Sequence, residues 1–426
     1  MVKLNRRAFN RGLLVAGAAA GVSSAFVARA QAAGKVVIIG GGAGGATVAR
    51  YLKKDSPDLD VTLVEMNKTY TTCFFSNWYV GGFRDMDSIT HSYDTLASDY
   101  GVNVVNAKAT GVDGNARTVT LETGDVLSYD RLVLSPGIDF RYDLIEGYDD
   151  AAAEVVPHAY KAGRQTELLR NSIVNMREGG TFVIATPPNP YRCPPGPYER
   201  ISMVAHHFKN NNPTAKIVVV DPKGKFSKQG LFEEAWSKYY PGMIEWVGAD
   251  FTGGAIARVD VNAMELEDAA GEIYKADAMN VIPAQKAGMI AQAAGAANDS
   301  GWCPIDPASF KSTLVPDTYV LGDSSIAAAM PKSGFSANSQ AKVVANSIGA
   351  ELAGGRAFPA RFRNTCWSLV APNDAVKVGA SYAAGAEAVE VTDKFISATG
   401  EDAGLREQTY NEAIGWYDGI TTDMFG

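Results

Sequence analysis

Val36-Val-Ile-Ile-Gly40-Gly-Gly-Ala-Gly-Gly45 is the stretch that decides the fold. Four consecutive β-branched residues make a strand buried on both faces. Gly40, Gly42 and Gly45 then let the backbone turn tightly and approach a pyrophosphate, which faces the N-terminus of the following helix. Val61-Thr-Leu-Val-Glu65 supplies the next strand, and Glu65 lies 20 residues past Gly45. A carboxylate at that distance binds the ribose hydroxyls of an adenosine. Strand, glycine loop, helix, strand and acid in this order specify a dinucleotide-binding unit.

The chain returns to this unit twice. Asp130-Arg-Leu-Val-Leu-Ser-Pro-Gly137 reads as a buried strand with a tight turn at Gly137, a place where the chain closes over a bound cofactor. Thr318-Tyr-Val-Leu-Gly322-Asp323, followed by a helix over 337–352, is a second flavin signature. There Asp323 holds a ribitol hydroxyl, and the helix N-terminus faces the pyrimidine end of the ring and stabilises negative charge on it. FAD is the expected dinucleotide. Lys332, just ahead of the helix, either offsets charge on the reduced ring or is solvated.

A second α/β unit spans 148–283, with strands over 181–185, 216–221 and 279–283. After its first strand the chain runs Pro187-Pro-Asn-Pro-Tyr-Arg-Cys193-Pro-Pro-Gly-Pro-Tyr-Glu199-Arg200. Prolines supply no N–H and no flexible turn, so this loop cannot cradle a second pyrophosphate. It offers a thiol instead. Asp221 ends the next strand where a ribose-binding acid would stand, and without a glycine loop it reads as a strand-end cap. The expected fold class is α/β: an FAD-binding domain from 33–147 and 284–355, a second Rossmann-like domain over 148–283 without an NAD site, and a C-terminal α+β interface domain over 356–426.

Of the 426 residues, 46% are hydrophobic and 20% charged, the balance of an ordinary globular protein, and the net charge of −8 excludes a nucleic-acid binder. Residues 1–32 carry Arg6-Arg7 and Phe9, an Ala- and Gly-rich apolar stretch, and Ala30-Gln-Ala32, the form of a twin-arginine export signal. The rest has 34 basic and 47 acidic residues, a net charge of −13. The expected location is the periplasm, with no membrane span in the mature chain. Four cysteines (Cys73, Cys193, Cys303, Cys366) and four histidines match no metal-ligand spacing. His206-His207 reads as surface or core, and Cys303 as a buried structural thiol.

Several segments together carry a family resemblance. They are Gly40–Gly45, Tyr70-Thr-Thr-Cys73-Phe-Phe-Ser-Asn77, the proline loop through Arg200, Gly301-Trp-Cys-Pro304, Gly322-Asp323, Pro331-Lys-Ser-Gly-Phe-Ser-Ala-Asn-Ser-Gln340 and Asn364-Thr-Cys366. The chain from 34 to 426 resembles the flavoprotein subunit of flavocytochrome c sulfide dehydrogenase, of the glutathione-reductase-like class. The resemblance implies that Cys73 holds FAD by a thioether and that Cys193 and Cys366 form a redox disulfide beside it. It implies that Glu199 is a proton carrier and that electrons go to a separate c-type cytochrome subunit, making a heterodimer. The chain has no Cys-x-x-Cys-His, so it attaches no haem itself.

Read from the residues, other roles stay open. Glu199 serves equally as an acid favouring a helix N-terminus, and Cys193–Cys366 as a static staple. Trp416 either covers the flavin or packs in the core. Sulfide oxidation with a cytochrome acceptor competes with sulfide:quinone reduction and with a flavin-bearing sulfur carrier that turns nothing over. Quinone reduction should show an amphipathic or apolar C-terminal membrane surface, and the mixed, acid-bearing tail from Asp374 to Gly426 argues against it.

Overall fold

The strand that opens the glycine motif, Lys35–Ile39, sits at the centre of a five-stranded parallel sheet. The order is Thr318–Val320, Arg131–Leu134, Lys35–Ile39, Asp60–Val64, Asn103–Val105. The structure, a computed structural model, describes residues 34–426, so the export signal assigned to 1–32 lies outside the described residues. Helices Gly45–Asp55 and Gly334–Leu352 pack together against the sheet through Ala46, Ala49, Ala337, Ala341 and Val344. The second helix begins three residues earlier than expected, because the Ser333 side chain accepts a hydrogen bond from Ser336 N and caps it.

The second unit repeats this plan with four parallel strands, Ile244–Val247, Lys216–Val220, Thr181–Ala185 and Ala278–Val281. In both units a three-stranded antiparallel meander precedes the returning strand: Ala109–Asp113, Thr118–Leu121 and Val126–Ser128 in the first, Ile256–Asp260, Glu265–Asp268 and Ile273–Lys275 in the second. Ile138–Phe140 pairs antiparallel with Gln285–Ala287, one strand on the way into the second unit and one on the way out.

At the end of the second strand of this unit lies a packed polar cluster. Asp221 is fully buried and is more than a strand-end cap. It accepts hydrogen bonds from Tyr198 Oη at 2.6 Å and Trp246 Nε1 at 3.0 Å, and pairs with Lys223 Nζ at 2.8 Å. Tyr198 stacks on Phe226 with ring centroids 3.7 Å apart. Lys223 also donates to Thr186 Oγ1 and to the Pro187 carbonyl, tying down the start of the proline loop.

The C-terminal region is an antiparallel sheet of Arg361–Ala371, Asp374–Ala384 and Val389–Ile396, followed by the helix Ala403–Phe425. No long apolar helix was legible here. The buried face is Arg406, Thr409, Ala413, Tyr417, Ile420 and Met424, a regular three-and-four spacing whose first two members are polar. Burial of Arg406 rests on its bond to Asp374 at 2.7 Å. Among the described residues, no helix is long and apolar enough to cross a membrane.

Asp221→Asn removes the charge that keeps Lys223 buried. Because breaking a buried ion pair strands the remaining charge, the variant is expected to lose about 3–5 kcal/mol, measured as a lowered urea midpoint.

Candidate active site

The nucleotide loop forms as the glycines require. A Cβ on Gly45 would stand 1.9 Å from the Gly40 carbonyl oxygen, so the helix can start against the loop only without a side chain. Glu65 Oε2 accepts from Gly41 N at 2.8 Å, and Oε1 from Asn67 N and Nδ2, which aims the carboxylate at the loop. Gly42 lies beneath the Tyr70 ring, and Gly137 adopts φ +70° against the Arg192 guanidinium. Gly322 N donates to Gln340 Oε1 at 2.8 Å.

Asp323 gives the test of whether an FAD fits. Its Oδ2 accepts from Arg192 Nε at 2.6 Å, whereas Oδ1 is buried without a partner, as is Gln285 Nε2. A buried carboxylate oxygen left free is an acceptor for a sugar-alcohol hydroxyl, so Gly40, Gly42, Gly45, Glu65 and Asp323 suit this cofactor. Lys332 is not solvated. Its Nζ donates to the carbonyls of Asp323 and Ser325 and stands 3.7 Å from the Trp302 ring centroid, and burial lowers its pKa to about 8.

Beside this region lies a cavity of about 810 Å³, counting its open mouth. Cys73, Cys193, Cys366, Glu199, Tyr160, Arg192, Arg200 and Trp416 all line it. Cys73 comes from the turn before helix Ser76–Gly81, Cys193 from the proline loop, Cys366 from the C-terminal sheet. All four cysteines are free thiols, and Cys303 is fully buried elsewhere. Cys193 sits at φ +55°, its N–H donating to the Lys332 carbonyl at 2.7 Å. Burial raises the pKa of all three cavity thiols, most strongly Cys193.

Glu199 is in the first turn of helix Gly196–Asn211 and points into the cavity wall. It accepts from Asn77 Nδ2 (2.8 Å), Trp78 Nε1 (3.2 Å) and Leu369 N (2.9 Å). Burial raises its pKa above the usual glutamate value, against the pull of those donors and of Lys228. Phe74, Phe335, Trp367 and Trp416 form an aromatic rim, so Trp416 both packs and walls the cavity.

Three contributors were missed from sequence. Lys228 is buried and donates to the Cys366 carbonyl (3.0 Å) and Ser368 Oγ (2.8 Å), and burial lowers its pKa to about 8. Asn364 Nδ2 donates to Cys366 Sγ at 3.4 Å. Arg200 is 2% exposed and spans Asn77, Asn280 and two carbonyls. Lys228 is one of three lysines between 223 and 228 and carries no local signal that sets it apart, whereas Arg200 directly follows Glu199. His206 and His207 are half-buried on the outer part of their helix and take no part.

Comparison with known proteins places the chain among sulfide-oxidising flavoproteins. Residues 166–283 match the central domain of the sulfide dehydrogenase [flavocytochrome c] flavoprotein chain, and 359–425 the flavin-binding domain of flavocytochrome c sulphide dehydrogenase. Residues 34–174 match the pyridine nucleotide-disulphide oxidoreductases. The sulfide dehydrogenase [flavocytochrome c] flavoprotein chain of Chlorobaculum thiosulfatiphilum is 54% identical over 43 residues, 10% of this chain and 90% of that sequence. The mitochondrial sulfide:quinone oxidoreductase of Mus musculus is 20% identical over 297 residues, 68% of this chain and 65% of that one. The sulfide-quinone reductase of Aquifex aeolicus (strain VF5) is 32% identical over 102 residues, 24% of each chain. Both quinone-type relatives are thus matched over less than two thirds of their length. The solved sulfide:quinone oxidoreductase of Aquifex aeolicus shares the fold, with a TM-score of 0.70, 18% identity, and coverage of 91% of this chain and 92% of that one. The chain belongs to the flavocytochrome c sulfide dehydrogenase flavoprotein family, with its FAD-binding domains.

Proposed function

We propose that this protein oxidises sulfide with a cysteine pair, Cys193 and Cys366, and a covalently held FAD, and delivers the electrons to a c-type cytochrome subunit. The observation that carries this is the meeting of Cys73, Cys193 and Cys366, from three separate elements, on one cavity beside the flavin signature. Hydrosulfide is a soft nucleophile, and a Cys193–Cys366 disulfide is its natural target. Attack breaks one S–S bond and forms another, leaving a persulfide and a thiolate. Lys228 and Asn364 favour charge on the Cys366 side. Glu199, with its raised pKa, accepts the proton released as hydrosulfide becomes sulfur-bound. FAD, when bound, supplies a two-electron acceptor that can hand electrons on singly. Cys73 is the residue for the thioether. A periplasmic location through the twin-arginine signal completes the reading.

Similarity to sulfide:quinone reductases gives a second reading, with quinone as the acceptor. The holoenzyme with its cytochrome subunit is expected to reduce haem when sulfide is added. Sulfide-driven reduction of a soluble quinone without cytochrome reduction would select the other acceptor.

Acid-precipitated wild-type protein is expected to stay yellow, and Cys73→Ser to release its FAD into the supernatant. Free flavin from the wild type contradicts the thioether. Cys193→Ser should retain FAD and lose sulfide-driven bleaching of the flavin absorbance; unchanged turnover rules out the disulfide chemistry.

The proton role has a pH signature. A proton acceptor must be ionised, so activity rises with pH through the Glu199 pKa, on a limb centred above the usual glutamate range. Glu199→Gln should lower the rate by about 10²-fold or more and abolish that limb in the pH–rate profile.

A further inference from the structure

The hydroxyl of Tyr160 is left unused by the chemistry above. Tyr160 is 5% exposed and lines the cavity, and its Oη has no hydrogen-bond partner. Burying a hydroxyl in that state is unfavourable. The residue is held in place on both sides. Its N–H donates to His158 Nδ1 at 3.0 Å, and its carbonyl accepts from Arg192 Nη1 at 2.8 Å. The Arg200 guanidinium stands 5.2 Å from its ring centroid. Arg200 donates only to Asn77 Oδ1, Asn280 Oδ1 and the carbonyls of His158 and Ala159, none of them a carboxylate. A buried cation without a direct anion and a buried hydroxyl without an acceptor therefore face the same space.

Tyr160 Oη and Cys193 Sγ each lie 3.0 Å from the point that a Cβ on Gly196 would occupy. They are within twice that distance of each other, yet the hydroxyl makes no bond to the sulfur. The outer sulfur of a persulfide on Cys193, about 2.05 Å beyond Sγ, is a terminal anionic acceptor of the kind this hydroxyl lacks.

We infer that Cys193 is the cysteine that takes up the substrate sulfur, and that Tyr160 donates a hydrogen bond to that outer sulfur with Arg200 supplying the compensating charge. This rests on the sulfide-oxidising reading. The sulfur of HS⁻ attacks Cys193 Sγ. The Cys193–Cys366 bond breaks as the new S–S bond forms, and its electron pair leaves on Cys366. The substrate sulfur is oxidised, the disulfide is reduced, and the S–H proton passes to Glu199. The pair is asymmetric in the required sense, since Cys366 Sγ accepts from Asn364 Nδ2 and has Lys228 at its carbonyl. Gly196 leaves the subsite open.

The holoenzyme is given less than one equivalent of sulfide, quenched with iodoacetamide and mapped by peptide mass. The expected result is one additional sulfur on the Cys193 peptide. Tyr160→Phe removes a buried hydroxyl that has no partner, so the melting temperature should hold or rise and the FAD content should hold. The rate of sulfide-driven flavin reduction at saturating sulfide should fall about tenfold, the loss of one hydrogen bond to a charged group. Gly196→Ala, which fills the gap, should diminish the sulfur adduct on Cys193. Added sulfur on the Cys366 peptide, or a wild-type rate in Tyr160→Phe, overturns the inference while leaving sulfide oxidation standing. A wild type that neither takes up sulfur nor bleaches with sulfide sinks both.

Discussion

The ion pair between Arg192 and Asp323 is the constraint on which the rest of the site depends. It joins the proline loop of one α/β unit to the strand end of the other, with both side chains largely buried. Taking two charges out of water is favourable only where the geometry and the remaining hydrogen bonds are good. Arg192 meets that condition with the Tyr160 carbonyl, and its N–H bonds Gln285 Oε1. Cys193 is the next residue, so its position follows from the pair. Asp323 keeps one oxygen for a cofactor, so the same carboxylate ties the thiol loop to the flavin side.

Much of this was legible in the sequence where a local pattern has a local cause. Gly40, Gly45, Glu65 and Asp323 act within a strand, a loop and a helix end, and each lies where the motif requires. The absence of a second phosphate loop was equally plain, since prolines cannot supply its N–H groups. The cluster around Asp221 was not, because Tyr198, the loop from Asp221 to Phe226 and Trp246 are three separate stretches. Lys228 reaches Cys366 from another element for the same reason, whereas Asn364 stands two residues before Cys366 on the same strand. The C-terminal helix escaped because Arg406 and Thr409 interrupt its apolar face, and their burial depends on partners far away in sequence.

The electrostatics of the cavity follow from burial more than from exposed charge. Arg200, Lys228 and the paired Arg192 outnumber Glu199 and Asp323 around it. A small anion entering such a space gains where a neutral thiol does not. Burial raises the pKa of both free thiols, and a closed disulfide is the form that offers an incoming anion an electrophilic sulfur.

The helix Ala403–Phe425 contributes Ala413 and Trp416 to the cavity, and Phe425 packs on Tyr70, His91 and Tyr93 above the glycine loop. These residues are synthesised after every other wall of the site. A nascent chain on the ribosome can therefore build both parallel sheets while the chamber stays roofless. Closure of the chamber thus waits on the helix Ala403–Phe425, whatever order the rest of the site forms in.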